Sequence, residues 1–400
     1  MPYVCALRAS MSSCRGARSH RRVLADLVRF AVMMRGLRTR DDGEKAARGQ
    51  WWGIALAAGA IAGLMSCGQS EVVPENAPKQ VRSEVERARP ALLADEPWTF
   101  ESVPGRAMRT ASYRVFTTLP RGSIADQLPT FLEQAVTNYR TAIVLLPGPS
   151  VAMDTYLLSN RPQWQRLTKT LLGDAANAYL HIQRGGVAVG GRAMLYDIGT
   201  RDTFVIAAHE GWHQYTQRVM KDALPVWLDE GMATYMEGFR WSAERPGDAE
   251  FSGWANLERY DTLRMASQAH VLMSLEQIVN LGPGDLVQVG PDAALVAYAQ
   301  MWALIHFLHE GDEGDHAAGL RAMLSDAAAG KMSERVRREV GARAAEQFAA
   351  RRAGAEVLRV YIGKSAAALE ESYRAAIERI VEVGGRDAVV AGKSPLMEVK

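Results

Sequence analysis

The sequence predicts an α+β fold, a sheet-bearing first half followed by a helical second half. Three observations carry this. Short β-branched and aromatic runs alternate with helical patterns between residues 112 and 196. From Thr200 onward the apolar residues recur mostly at steps of three and four. The composition, 48% hydrophobic and 23% charged, suits a globular body with one large or two smaller cores.

Residues 1–50 are rich in arginine, and Met11, Met33 and Met34 could each serve as a start. The uncharged run from Trp51 to Cys67 follows Lys45 and Arg48, falls short of the roughly 20 residues of a spanning helix, and ends in small residues. That is a signal-peptide pattern. Its last four residues, Leu64-Met65-Ser66-Cys67, resemble a bacterial lipobox. Residues 1–67 are therefore expected to be an N-terminal extension and lipoprotein signal, with Cys67 lipidated and the body exported to the cell envelope. An uncleaved anchor or a plain secretory signal is the alternative. Gly68, in place of an aspartate after the cysteine, points to the periplasmic face of the outer membrane. Five prolines between residues 68 and 110 (Pro74, Pro78, Pro90, Pro97, Pro104) suggest a tether holding the body to the membrane.

Within the body, residues 112–119 read as a strand and 124–143 as a helix entered or interrupted at Pro129. A strand over 153–158, a helix over 161–172 and a short strand over 178–182 follow. Residues 185–196 form a glycine-broken strand or hairpin at a sheet edge, where an extended substrate could pair. Its Gly-Gly steps lack the Gly-Lys-Ser/Thr of a phosphate loop. Thr200 to Thr203 supply a helix cap, and Phe204, Ala208, Trp212, Tyr215 and Val219 make an apolar stripe that buries one flank of the helix. A second helix starts at Pro225, residues 243–262 read as an irregular insertion, and 275–281, 292–308, 317–323, 334–352 and 365–383 are helical.

The first 66 residues hold 11 of the 47 Lys and Arg but only 4 of the 45 Asp and Glu, leaving −5 on the rest. A mildly acidic body without a basic stripe excludes nucleic acid as a partner. Cys5, Cys14 and Cys67 all precede the body, so any metal there must be held by His and carboxylate.

His209-Glu210-Gly211-Trp212-His213 supplies such a set. Four residues apart on a helix, His209 and His213 lie about 40° apart around the axis and can share one ion. Glu210, turned by about 100°, reaches a water beside the ion without being a ligand. Glu230, in the second helix, is the candidate third ligand. Two imidazoles and one carboxylate suit Zn2+, with one position left open, and Glu210 is the candidate general base.

The pairing of this motif with Pro225-Val226-Trp227-Leu228-Asp229-Glu230-Gly231-Met232-Ala233-Thr234-Tyr235, supported by residues 298–308, resembles the gluzincin clan of zinc metallopeptidases over about residues 111–310. The resemblance implies a thermolysin-like zincin core: a small mixed sheet with helices, the motif helix beneath an edge strand, and a helical subdomain carrying Glu230. It implies hydrolysis of a peptide or protein substrate. A catalytically inactive envelope lipoprotein using the fold as a binding module is the alternative, against which the retention of Glu210 tells.

Thr234 stands where thermolysin-like members place an aspartate, so Asp229 and Thr234 are the candidates to hold an imidazole. The peptide-amine anchor of aminopeptidases is missing. Tyr298 and His306, about 80° apart on one helix, are candidates to stabilise an oxyanion, weighed against simple packing in a helical core. His309, Asp312, Glu313, Asp315 and His316 read as a solvated acidic loop. Residues 311–400 form a helical C-terminal region.

Overall fold

The computed structural model describes residues 92–397 apart from 183, 184 and 289; the signal pattern, Cys67 and most of the tether lie outside the described residues. Six strands, β1 (Ala94–Phe100), β2 (Val103–Arg109), β3 (Tyr113–Thr117), β4 (Met153–Leu158), β5 (Gly186–Val189) and β6 (Arg192–Tyr196), form one sheet in the order β1-β2-β3-β4-β6-β5. The sheet is mixed: β3, β4 and β6 run parallel, while β1-β2-β3 and β5-β6 pair antiparallel. Helices follow: α1 (Ser123–Thr141) and α2 (Arg161–Leu172) between strands, then α3 (Thr200–Val219) and α4 (Val226–Met236). After a small hairpin, β7 (Phe239–Trp241) and β8 (Ala249–Phe251), come α5 (Leu257–Gln268), α6 (Leu275–Val279), α7 (Pro283–Gln288) and α8 (Pro291–Glu310). The chain ends with α9 (Ala317–Ala329), α10 (Met332–Val340), α11 (Ala342–Arg351), α12 (Ala355–Ile362), α13 (Ala366–Val381) and α14 (Gly385–Val390). The expected α+β class, with a mixed sheet and a helical C-terminal region, holds.

Alternation along the strands makes two cores. Val115, Met153, Leu157 and Leu195 face α1 and α3 and join one continuous core that runs through α4 and α8 to Leu369, Ile377 and Val389. Leu158, Met194 and Tyr196 face the other way and meet Trp164 and Leu167 of α2. Because the larger core crosses residue 310 unbroken, the C-terminal helices pack as part of the body.

Four expectations are corrected. The last part of the tether, 94–109, is a hairpin of two strands. From a hairpin closed by Phe100↔Val103, alternation puts Pro97 where its missing N–H would point to the open edge, and Pro104 lies beyond the β2–β3 pairing that begins at Arg106↔Thr117. Neither proline therefore breaks a ladder bond. Residues 178–182 are not a strand but the end of a 3-10 turn, Gly173–Ala178, and the turn after it. The 243–262 stretch is a hairpin and the first half of α5, capped by Asn256, whose side chain accepts from Arg259 N. Finally, Gly341 divides the expected 334–352 helix in two.

Candidate metal centre

Helix α3 is fixed from both sides. Phe204, Ala208, Trp212 and Tyr215 are buried, and Gln214 donates to Asp154 O at 2.7 Å while accepting from Thr155 Oγ1 at 3.0 Å. The cap is not the expected Thr200: Gly199 is the N-cap, with its N–H bound to Asp197 Oδ1 at 2.9 Å. Gly211 admits α1. A Cβ there would sit 2.5 Å from Tyr139 Oη, whose hydroxyl donates to Ala208 O at 2.8 Å. Helix α4 crosses α8 closely, since a Cβ on Gly231 would lie 2.9 Å from Ile305 and from Met301 O.

What remains of α3 carries His209, Glu210 and His213, all half-buried. Their imidazoles converge with Glu230. His209 Nε2 and His213 Nε2 are 3.3 Å apart, and Glu230 Oε2 lies 3.5 Å from the first and 3.4 Å from the second. A four-coordinate ion with bonds of about 2.0–2.2 Å spreads its ligand atoms about 3.3–3.6 Å apart. The three groups therefore could hold a metal ion, and they are the one such group among the described residues.

Each imidazole is turned by a carboxylate that an arginine holds in turn. His213 Nδ1 lies 3.2 Å from Asp229 Oδ1, which also accepts from Trp212 Nε1 at 3.1 Å. Arg352 donates to Asp229 Oδ2 at 2.6 Å. His209 Nδ1 lies 2.8 Å from Glu237 Oε1. Arg259 grips Glu237 with both arms, at 2.9 and 2.7 Å, and Asn256 adds a third donor at 2.8 Å. These contacts fix the tautomer that leaves both Nε2 atoms free for an ion.

Charge points the same way. Glu210, Asp229, Glu230 and Glu237 set four carboxylates against two guanidiniums, a formal −2 that a divalent cation balances. Burial alone would discharge His209, yet its bonds to Glu230 and Glu237 push it up to about 9. Against burial, Arg259 and His209 hold Glu237 at about 2, and the imidazoles hold Glu230 well below the usual carboxylate range. Glu210 alone among the four moves up: burial outweighs the pull of the two imidazoles. Its contact is the backbone N–H of Ala188 on the edge strand β5, and a Cβ on Gly186 would lie 3.1 Å from its Cγ.

Of the two oxyanion candidates, the structure brings one to the site. The Tyr298 ring stands perpendicular to His209 at 6.2 Å between centroids, with Arg259 5.6 Å from its own centroid on another side. The Glu230 charge, with burial, keeps its hydroxyl protonated far above neutral pH. His306 is two turns further along α8, about 12 Å by helical rise. It is fully buried, stacked on Trp254 at 3.6 Å, with Nδ1 3.1 Å from Glu310 Oε1. It is a core histidine.

Thr234 is corrected too, because its hydroxyl bonds back to Glu230 O and Gly231 O of its own helix. The carboxylate sought there is Glu237. It lies seven residues after Glu230, within about 20° of the same helical face, and that spacing was the available signal. The acidic loop carries a local pair, His316 Nε2 to Asp312 Oδ2 at 3.0 Å, and assembles no ligand set.

No curated protein matches the chain. Residues 204–327, which contain His209, Glu210, His213, Glu230 and Tyr298, match the family model described as "Protein of unknown function (DUF1570)".

Proposed function

We propose that the protein is a zinc-dependent metallopeptidase that hydrolyses a peptide bond in a peptide or protein substrate. One observation carries this reading. Three of the four carboxylates at the centre are committed, Glu230 to the ligand set and Asp229 and Glu237 to the imidazoles and arginines. Glu210 is not, and its affinity for a proton is raised. Environments that drive neighbouring carboxylates apart in pKa separate their roles.

His209, His213 and Glu230 would hold the ion, and their two-nitrogen, one-oxygen set suits zinc. When bound, zinc acts as a Lewis acid towards a carbonyl and makes water more acidic. Glu210 takes a proton from the attacking water and returns it to the leaving amine. Tyr298, protonated and beside the His209 ring, donates to the oxygen that gains charge. Edge strand β5 borders the centre but does not offer an open edge for an extended substrate: the Ala188 N–H is engaged by Glu210 and its carbonyl by Gln217 Nε2 at 2.8 Å, and Gly186 is buried. The signal pattern ending at Cys67 supports export with a lipid anchor.

Replacing Glu210 by Gln tests the reading directly. The variant is expected to keep about one zinc per chain and to lose cleavage of a broad peptide library. A zinc-loaded wild type inert on that library would overturn it in favour of a binding module.

A further inference from the structure

The two ligand helices are joined by residues 220–225, and the C-terminal region grips that connection along its length. Lys221 N and Asp222 N both donate to Ala327 O, at 3.0 and 3.1 Å. The Asp222 carboxylate accepts from Ser333 N and Oγ at 3.2 and 3.1 Å. Leu224 O accepts from Arg352 Nε at 2.8 Å, and Val226 N donates to Arg352 O at 3.0 Å. From that anchored position the other arm of Arg352 reaches Asp229.

The backbone is built for this contact. Arg352 closes α11 in the left-handed region, φ 52 and ψ 19, where glycine is the usual residue and a branched or long side chain is disfavoured. Two residues on, a Cβ on Gly354 would lie 2.3 Å from Trp227 Nε1 and 2.4 Å from Pro225 Cβ, so the chain passes against the start of α4 with no room for a side chain. An arginine at a glycine position, next to a glycine required for close approach, exchanges conformational ease for a guanidinium aimed at one carboxylate. That carboxylate is the one that orients His213.

We propose that Arg352 is a positioning residue of the metal centre, so that the segment at the end of α11, which lies beyond the family match at 204–327, sets its metal affinity. Arg352 holds the Asp229 carboxylate in place, and Asp229 then holds His213 in the ligating orientation. The inference rests on the metal-centre reading and is independent of which bond, if any, the centre cleaves.

The test measures zinc affinity of the full chain by competition with a chromophoric chelator, together with the visible absorption of the Co2+ form. Arg352→Ala is expected to weaken zinc binding about 10- to 100-fold and to alter the Co2+ spectrum. Arg352→Lys, which keeps a positive charge within reach of Asp229, restores part of the loss. Asp229→Asn produces a comparable loss, and Arg352→Ala adds nothing further in that background. Arg359→Ala, which removes only the exposed pair with Glu356, leaves affinity unchanged.

Affinity within twofold of wild type in Arg352→Ala overturns the proposal, as do fully additive losses in the double variant. If circular dichroism finds Arg352→Ala unfolded, Arg352→Gln is read by the same criteria. A wild type that binds no zinc sinks this proposal and the metal centre together. A wild type that binds zinc but cleaves nothing, with the Arg352 loss intact, sinks only the peptidase.

Discussion

Replacing Glu237 by Gln separates the two things this side chain does. Glu237 is 3% exposed and Arg259 7%. Between them run two hydrogen bonds, at 2.9 and 2.7 Å, and the carboxylate also meets Asn256 and His209, each at 2.8 Å. Removing one charge of a buried pair costs about 3–5 kcal/mol because the partner is left uncompensated. The amide oxygen still accepts one bond, so the lower end, about 3 kcal/mol, is expected, with the melting temperature of a body of this size falling by roughly 5 °C. Zinc affinity should fall about 10- to 100-fold, since His209 Nδ1 loses its carboxylate. The second arm is Glu237→Gln with Arg259→Met. Removing the stranded guanidinium restores most of the stability, whereas zinc binding stays weak. Thermal melts of the metal-free protein and chelator competition read the two effects separately. A single variant that binds zinc within twofold of wild type, or a double variant that recovers both properties, would refute the assignment of Glu237 to His209.

Tyr298→Phe should lower kcat about 100-fold or more while leaving zinc affinity and KM near wild type; equal losses in zinc content would make it a structural residue. In the metal-free protein a proton on His209, favoured up to about 9 against an ordinary 6.5, stabilises the fold fully below pH 6.5, by up to about 3 kcal/mol, and this contribution is lost as pH rises through 9. Zinc must displace that proton and the one that Asp229 and Glu230 favour on His213 against burial, so apparent zinc affinity is expected to climb at least tenfold per pH unit across this window; a flat profile between pH 6.5 and 9 would contradict the protonated imidazoles. Cys67→Ala should abolish incorporation of labelled palmitate in a bacterial host, and undiminished labelling would remove the lipid anchor from the proposal.

The sequence reveals most where one-dimensional spacing maps directly onto an angle. A step of four from His209 to His213 places them on one face, and a proline-started helix returns a carboxylate, Glu230, to the same point after 16 intervening residues. Asp229 is within reach because it is adjacent to that ligand. Glu237 is equally close in helical terms, two turns along the face of Glu230, but the resemblance points to the fourth position, where Thr234 stands. Its partner Arg259 lay in a stretch that read as irregular, because α5 carries weak amphipathic periodicity. Arg352 lies 123 residues from Asp229, and no local pattern links them. The spacing of Tyr298 and His306 gave the angle between them and not which of the two points to the metal centre. That is decided by the crossing of α4 on α8, where Gly231 lets Met301 and Ile305 approach. Pro97 and Pro104 hid the first two strands for a related reason: a proline is compatible with a strand only at certain hydrogen-bonding positions, and those positions exist only once the register is known.

The arrangement of charge bears on whether the centre is structural or reactive. A structural zinc site is closed by a fourth protein ligand, and here the converging set among the described residues numbers three, on side chains that keep some exposure. A site selected only for holding an ion gains from every carboxylate paired to an imidazole or a guanidinium, as Asp229 and Glu237 are. Glu210 gains nothing of that kind. It is buried enough for desolvation to raise its pKa, among the described residues no arginine is bonded to it, and the single N–H of Ala188 is a poor return for an isolated carboxylate. Replacing it by an amide would relieve that desolvation, so the metal-free fold of Glu210→Gln is expected to be at least as stable as wild type. Opposite signs for stability and turnover in one variant are the signature of a residue kept for chemistry. Loss of stability in Glu210→Gln would instead return Glu210 to the scaffold.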